Sequence, residues 1–229
     1  MIKHIIFDCF GTLIDTGTGS RDAVKSILAS VESDADCSEF YKDWKSIKKE
    51  MMRSESFQTE KKLFELSLSD TFKKYNIIAD ASKEVEPMIK SLFGERHAFP
   101  DVEDTLQMLE EAGVEYAIGS TTDTDSLQYF LEQNSLTFSH IYTSEDMKVY
   151  KPDKMFYERI LELSGWDKDE CLFVGDNIVD DVMGPKSIGM KAVLLDRKET
   201  FDETGADIKP DYVIHSLKEL KGIIRGGLR

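Results

Sequence analysis

The sequence predicts an α/β protein: a parallel sheet flanked by helices, with a helical bundle inserted after the first strand. Three observations carry that expectation. Ile2, Ile5, Ile6 and Phe7 form a short apolar run rich in β-branched residues, the pattern of a strand buried on both faces. Residues 20–94 then show apolar spacing of helical period only. From Phe99-Pro100 onward, strand-like and helix-like segments alternate, which argues for parallel strands joined by helices. At 229 residues the chain is long enough to bury a sizeable core.

In chain order, the first strand stops at Asp8, and Gly11 permits a tight loop after it. A carboxylate at the carboxyl end of a buried strand stands where open α/β sheets hold their ligands. Thr16-Gly17-Thr18-Gly19-Ser20 reads as a flexible turn with Ser20 as a helix N-cap. About four amphipathic helices follow. Their stripes are Ala23, Val24, Ile27 and Leu28; Phe40, Trp44, Ile47 and Met51; Phe64, Leu68, Phe72 and Tyr75; and Val85, Met88, Ile89 and Leu92. These stripes read as bundle core, and Lys48-Lys49-Glu50 and Lys73-Lys74 as solvated faces. Asp101 is expected to cap a helix that Gly113 ends. Strands are expected at 114–119, 139–143, 170–175, 191–195 and 211–214, with helices at 125–133, 153–164 and 181–188. The first strand cannot fold alone, so residues 1–15 and 97–229 read as one core domain. Residues 16–96 then form a helical insertion placed to cover Asp8.

Composition limits the partners. The net charge is −15, from 44 acidic and 29 basic residues. Such a chain repels nucleic-acid phosphates and anionic membranes, so neither is an expected partner. A small anionic substrate would have to be gripped locally by a metal, a lysine or backbone amides. Cys9, Cys37 and Cys171 are odd in number, far apart and without metal-ligand spacing, and two of them read as core thiols. No run approaches membrane-spanning length, and residues 1–8 lack the features of a signal peptide. The expectation is a reducing, cytoplasmic location. Nothing in the sequence speaks to oligomeric state.

The chemistry gathers at strand ends. Asp8 follows the first strand, Ser120 and Thr121 follow the second, Lys151 lies beyond the third, and Asp176 follows the fourth with Asp180-Asp181 opening a helix. In a parallel sheet all these positions share one edge. A carboxylate nucleophile, a hydroxyl, a lysine and further carboxylates on one edge suit attack on an anionic group.

With these residues the chain resembles the haloacid dehalogenase (HAD) superfamily, in its subfamily with a helical cap inserted after the first core strand. Four motifs appear in order: Asp8-Cys9-Phe10-Gly11-Thr12, Ser120, Lys151 within Tyr-Lys-Pro-Asp, and Val174-Gly175-Asp176 with Asp181. The resemblance implies a Rossmann-like core and hydrolysis through an aspartyl ester on Asp8. It implies that Thr12, Ser120 and Thr121 bind substrate and that Lys151 neutralises charge. In phosphatase members Mg²⁺ would be held by Asp8, the backbone carbonyl of Phe10 and Asp176, with Asp181 assisting.

One departure divides the expectations. Family phosphatases carry a second aspartate where this chain has Phe10, and phenylalanine can neither protonate a leaving group nor activate water. The dehalogenases place a tyrosine there and resemble this chain around Tyr150-Lys151-Pro152-Asp153 and Tyr157. They work without metal, however, and carry neutral residues at Gly175-Asp176. The cap also shows no clear arginine for a substrate carboxylate, Lys42 being the residue nearest the expected region. Three carboxylates beside one lysine call for a cation. The leading expectation is therefore a Mg²⁺-dependent phosphatase of a small phosphorylated metabolite. The alternative is a 2-haloacid dehalogenase, and a third reading is a catalytically weak binding protein on the same fold.

Overall fold

The computed structural model describes residues 1–53, 56–202, 209–224 and 226. Among them, one parallel sheet contains β1 (His4–Phe7), β2 (Glu115–Ser120), β3 (His140–Thr143), β4 (Cys171–Gly175), β5 (Lys191–Leu195) and β6 (Tyr212–Ile214). The strand order is β3-β2-β1-β4-β5-β6. Ile5, Ile6 and Phe7 of β1 are fully buried because the strand lies between β2 and β4. Strand alternation sends Ile5 and Phe7 into one layer, with Val102, Leu127 and Phe130, and Ile6 into the other, with Phe156, Tyr157 and Ile160. The chain runs from β1 outward to β2 and β3, then returns to β4 on the other side of β1. That reversal opens a crevice at the carboxyl ends of β1 and β4.

Helices α1 (Gly19–Ser30), α2 (Cys37–Met52), α3 (Glu60–Lys74), α4 (Ala81–Glu84) and α5 (Glu86–Ser91) lie between β1 and β2 in the chain. Their buried residues form a separate apolar cluster that includes Val24, Ile27, Phe40, Trp44, Leu68, Phe72 and Met88. The aromatic stripes are the core of that bundle, and the Trp44 indole donates to Ser67 Oγ at 2.7 Å. Two chain segments join the helical cap to the sheet and run side by side. The Asp15 N–H donates to the His97 carbonyl and the Phe99 N–H to the Leu13 carbonyl, each at 2.9 Å. The remaining helices are α6 (Val102–Glu111), α7 (Thr124–Gln133), α8 (Ser144–Met147), α9 (Lys154–Ser164), α10 (Gly184–Ser187) and α11 (Leu220–Ile224). No described helix is long and apolar enough to cross a membrane.

The structure corrects several local expectations. Helix α1 begins at Gly19 after Thr18, so Ser20 sits inside its first turn and does not cap it. The fourth cap helix is split into α4 and α5, because Pro87 at the start of α5 has no N–H for a continuous helix and would clash with the preceding turn. Asp101 precedes α6 but does not cap it. Its carboxylate is taken instead by Arg197, Ser216 and the Leu217 N–H. The helix expected at 181–188 starts earlier, as a π-helix over Ile178–Met183 that passes into α10. Lys48 is not solvated: it lies half-buried and pairs with Glu60 at 2.7 Å.

Candidate active site

Register brings the strand ends level. Phe7 pairs with Ile118 on one side and Val174 on the other, so Asp8 stands beside Gly119 and Gly175, with Ser120 and Asp176 one residue further on. The Asp8 N–H continues the ladder by donating to the Val174 carbonyl at 2.8 Å. Thr12, fully buried in the following loop, donates from Oγ1 to Asp8 Oδ2 at a long 3.4 Å. Ser120 is buried at the end of β2, and Thr121 beyond it lines the cavity above.

Lys151 reaches the same point from the loop before α9. Its Nζ donates to Asp8 Oδ1 at 2.6 Å and to Asp181 Oδ1 at 2.7 Å, and all three side chains are nearly sealed from solvent. Asp181 is aimed inward by the π-helix. Asn177 caps that helix with its side chain, and the Asn177 N–H donates to Asp181 Oδ2 at 3.0 Å. Asp180, by contrast, lies on the cavity wall. Two glycines make the convergence possible. A Cβ on Gly11, whose φ is +96°, would lie 2.4 Å from Asp176 Oδ2, and one on Gly175 would lie 2.3 Å from the Asp181 carboxyl.

Asp8, Asp176 and Asp181 each offer a carboxylate oxygen within 4.8 Å of the others. Burial pushes the Asp8 carboxyl up to about 7, with Lys151 opposing and Asp181 and Asp176 adding to the rise. Burial, reinforced by Asp181, pushes Asp176 up to about 6. Lys151, though desolvated, is held well above its ordinary value by Asp181 and Asp8. One ammonium thus leaves the cluster with excess negative charge. An oxygen-rich trio around that charge fits a hard divalent cation such as Mg²⁺, which would return both carboxyls to their ionised range.

A cavity of about 460 Å³ lies over these groups, between cap and sheet. Several of its lining residues were not singled out by the sequence. Arg96 reaches in from the linker, its guanidinium 5.3 Å from the centroid of Phe10 and 4.8 Å from that of Phe130. Lys45, Lys48, Lys49 and Arg53 face it from the α2 side, and Glu60 from the start of α3. The helical spacing of the α2 cations was the available signal, but helical spacing does not say which face meets the sheet. Lys42 lies outside this cavity, lining a separate groove with Arg21 and Lys25. Tyr157 is also outside it, buried beneath the π-helix with its hydroxyl donating to the Asp180 carbonyl.

The fold and this sheet-edge site define a Rossmann-like α/β core with a helical cap. Residues 2–189 match the family model described as haloacid dehalogenase-like hydrolase, and the chain belongs to that family. It is 35% identical over 124 residues to haloacid dehalogenase-like hydrolase domain-containing protein 3 of Danio rerio, a match covering 53% of this chain and 50% of that protein. Other relatives align over nearly the whole length. (S)-2-haloacid dehalogenase 4A of Burkholderia cepacia is 25% identical, covering 96% of this chain and 93% of its own. Glyceraldehyde 3-phosphate phosphatase of Methanopyrus kandleri is 26% identical, covering 98% of each. Among solved structures, L-2-haloacid dehalogenase of Xanthobacter autotrophicus superposes with a TM-score of 0.77 at 21% identity over 100% of both chains, a likeness of fold.

Proposed function

We propose that this hydrolase is a Mg²⁺-dependent phosphatase that transfers a phosphoryl group to Asp8. The convergence of Asp8, Asp176 and Asp181 within 4.8 Å carries this reading, because a metal-free dehalogenation has no use for the Asp176 charge. The relatives include both a phosphatase and a dehalogenase, and the three converging carboxylates support the first reading. Asp8, Asp176, Asp181 and the Phe10 carbonyl would hold Mg²⁺, which when bound supplies positive charge to the phosphoryl oxygens. An Asp8 carboxylate oxygen attacks phosphorus in line with the leaving group. Lys151 keeps Asp8 oriented and offsets the charge gathered there. Ser120 and Thr121 hydrogen-bond the transferred group, and Thr12 holds the far oxygen of Asp8. Water then attacks the phosphoaspartate and restores the carboxylate.

Residues 16–96 act in this reading as a cap that opens for substrate and closes over Asp8, moving about the paired linkers near residues 15 and 97. Three free thiols, two of them buried, accord with a cytoplasmic protein. The second reading, dehalogenation of a 2-haloacid, is favoured by Arg96, a cation stacked over Phe10 where a substrate carboxylate could dock. Assays with phosphate esters and 2-haloacids, each with Mg²⁺ and with chelator, separate the two. Phosphate release should need Mg²⁺ and vanish in Asp8→Asn. Undiminished turnover of a 2-haloacid in chelator would replace this reading with the second.

A further inference from the structure

The cap wall of the cavity carries charge opposite to that of the chain as a whole. Lys45, Lys49 and Arg53 recur at i, i+4 and i+8 along α2 and its C-cap, so one stripe faces the cavity, and Arg96 joins it from the linker. Lys48 is committed to Glu60, and Lys151 to Asp8 and Asp181. Among the described residues, no carboxylate lies within ion-pair distance of Lys45, Lys49, Arg53 or Arg96. In a chain of net charge −15, four cations thus face the cavity with no ion pair to a described carboxylate.

Beside the nucleophile, the side chain facing the cavity is Phe10, packed edge-on against Phe130 at 5.4 Å with Arg96 over its ring. Phenylalanine has no proton to give, and arginine does not release one at any ordinary pH. Of the carboxyls on the wall, Glu60 already accepts from Lys48 and from the Thr122 hydroxyl, and Asp180 is pushed up by burial, with Lys151, Lys49 and Arg53 opposing. With no acid at position 10, the site favours a group that departs as a stable anion. An alkoxide is the anion of an acid about as weak as water, pKa ~15.7. A phosphate monoester, in contrast, takes its second charge with a pKa of about 6.

We propose that the substrate is a phosphoanhydride, its leaving phosphate departing unprotonated and being received by Lys45, Lys49, Arg53 and Arg96. This rests on the phosphoryl-transfer reading above. An Asp8 oxygen bonds to the terminal phosphorus as the bridging P–O bond breaks, and the electron pair leaves with the phosphate. Water then attacks the phosphorus on Asp8. The bond to the Asp8 oxygen breaks, inorganic phosphate is released, and a proton of the water passes to solvent.

The test compares kcat/KM with Mg²⁺ for pyrophosphate, adenosine 5′-diphosphate, p-nitrophenyl phosphate, glycerol 3-phosphate and fructose 1,6-bisphosphate. The better anhydride should exceed glycerol 3-phosphate by at least about 10²-fold, the scale of one missing general acid. Fructose 1,6-bisphosphate, which brings a second phosphate but leaves as an alkoxide, should stay with glycerol 3-phosphate. Lys49→Ala with Arg53→Ala should lower the ratio of anhydride to nitrophenyl phosphate kcat/KM at least about tenfold, while Lys49→Arg with Arg53→Lys should retain most of it. Calorimetric affinity of Asp8→Asn for imidodiphosphate should fall on adding the same two alanines. Either alkyl ester matching the anhydrides, or an affinity and a ratio untouched by the alanines, overturns the proposal. Nitrophenyl phosphate also leaves without a proton but brings no phosphate to the cap. If it is cleaved and the anhydrides are not preferred, only this inference falls; if no phosphate compound is cleaved, the phosphatase reading falls and takes this one with it.

Discussion

Phe10 and Asp101 show how single side chains set chemistry and stability here. Phe10 lies two residues from Asp8 with its ring on the cavity wall, so an acid at this position would stand beside a departing oxygen. Phe10→Asp is expected to raise kcat/KM on glycerol 3-phosphate by about 10²–10⁴-fold, the usual worth of a general acid. An unchanged rate would mean that a proton already reaches the leaving group by another route. Asp101 tests stability. Burial alone would raise its carboxyl, yet hydrogen bonds from Arg197, Ser216 and the Leu217 N–H hold it below the ordinary value. Because the folded pKa is the lower one, this stabilisation is present above the unfolded value, near 3.9, and is lost as pH falls through the folded value. Asp101→Asn should cost about 3 kcal/mol at pH 7, since Arg197 loses the carboxylate it grips at 3.0 Å through two nitrogens. Urea unfolding at several pH values should show the gap to wild type narrowing toward pH 3. A gap that stays constant would mean that the Asp101 charge is not its source.

Among the elements, α3 links cap and sheet most directly. The Asp123 carboxylate, just ahead of α7, accepts from the Glu60 N–H at 2.6 Å and the Lys61 N–H at 3.1 Å, and so caps α3 across the interface. Tyr150 adds its hydroxyl to the Gln58 carbonyl at 2.9 Å and stacks on Phe57. Asp123→Ala should weaken docking by about 1 kcal/mol, the worth of an N-cap. Amide exchange at residues 60–63 should then speed up about fivefold while β1 keeps its protection. Equal acceleration in β1 would point to global loss of stability instead of a loosened cap. Periodicity alone was enough to expect the helices of the insertion. It could not foresee that Thr59, the local N-cap of α3, is joined by an acceptor 63 positions from Glu60 along the chain.

For the molecule as a whole, the acidic trio would couple metal binding to folding. Its members are Asp8, Asp176 and Asp181, and unfolding disperses them. Mg²⁺ at a hundred times its dissociation constant should therefore stabilise the folded protein by about 2.7 kcal/mol. Thermal melts across a Mg²⁺ titration should show Tm rising, with a much smaller rise for Asp176→Asn. Equal shifts in the two proteins would place the cation elsewhere. The same convergence explains why the chain accepts glycine at 11 and 175, where a Cβ would collide with Asp176 and Asp181.

The sequence by itself determined the strand and helix alternation, the helical insertion after the first strand and the strand-end positions of Asp8, Ser120 and Asp176. These follow from local pattern: apolar period, glycine and the place where a buried run stops. Tertiary structure decided which of two adjacent aspartates turns inward. A π-helix carries Asp181 to Lys151 and leaves Asp180 on the cavity wall, and no periodicity of period 3.6 foretells that shift. It also decided that Arg96 crosses Phe10, and that Lys45, Lys49 and Arg53 face the cavity while Lys42 does not. Those positions depend on how the cap docks on the sheet, through contacts such as Asp123 with α3 between residues far apart in the chain. An amphipathic stripe specifies that a helix has a buried face, whereas the partner of its polar face is set only when the two layers meet.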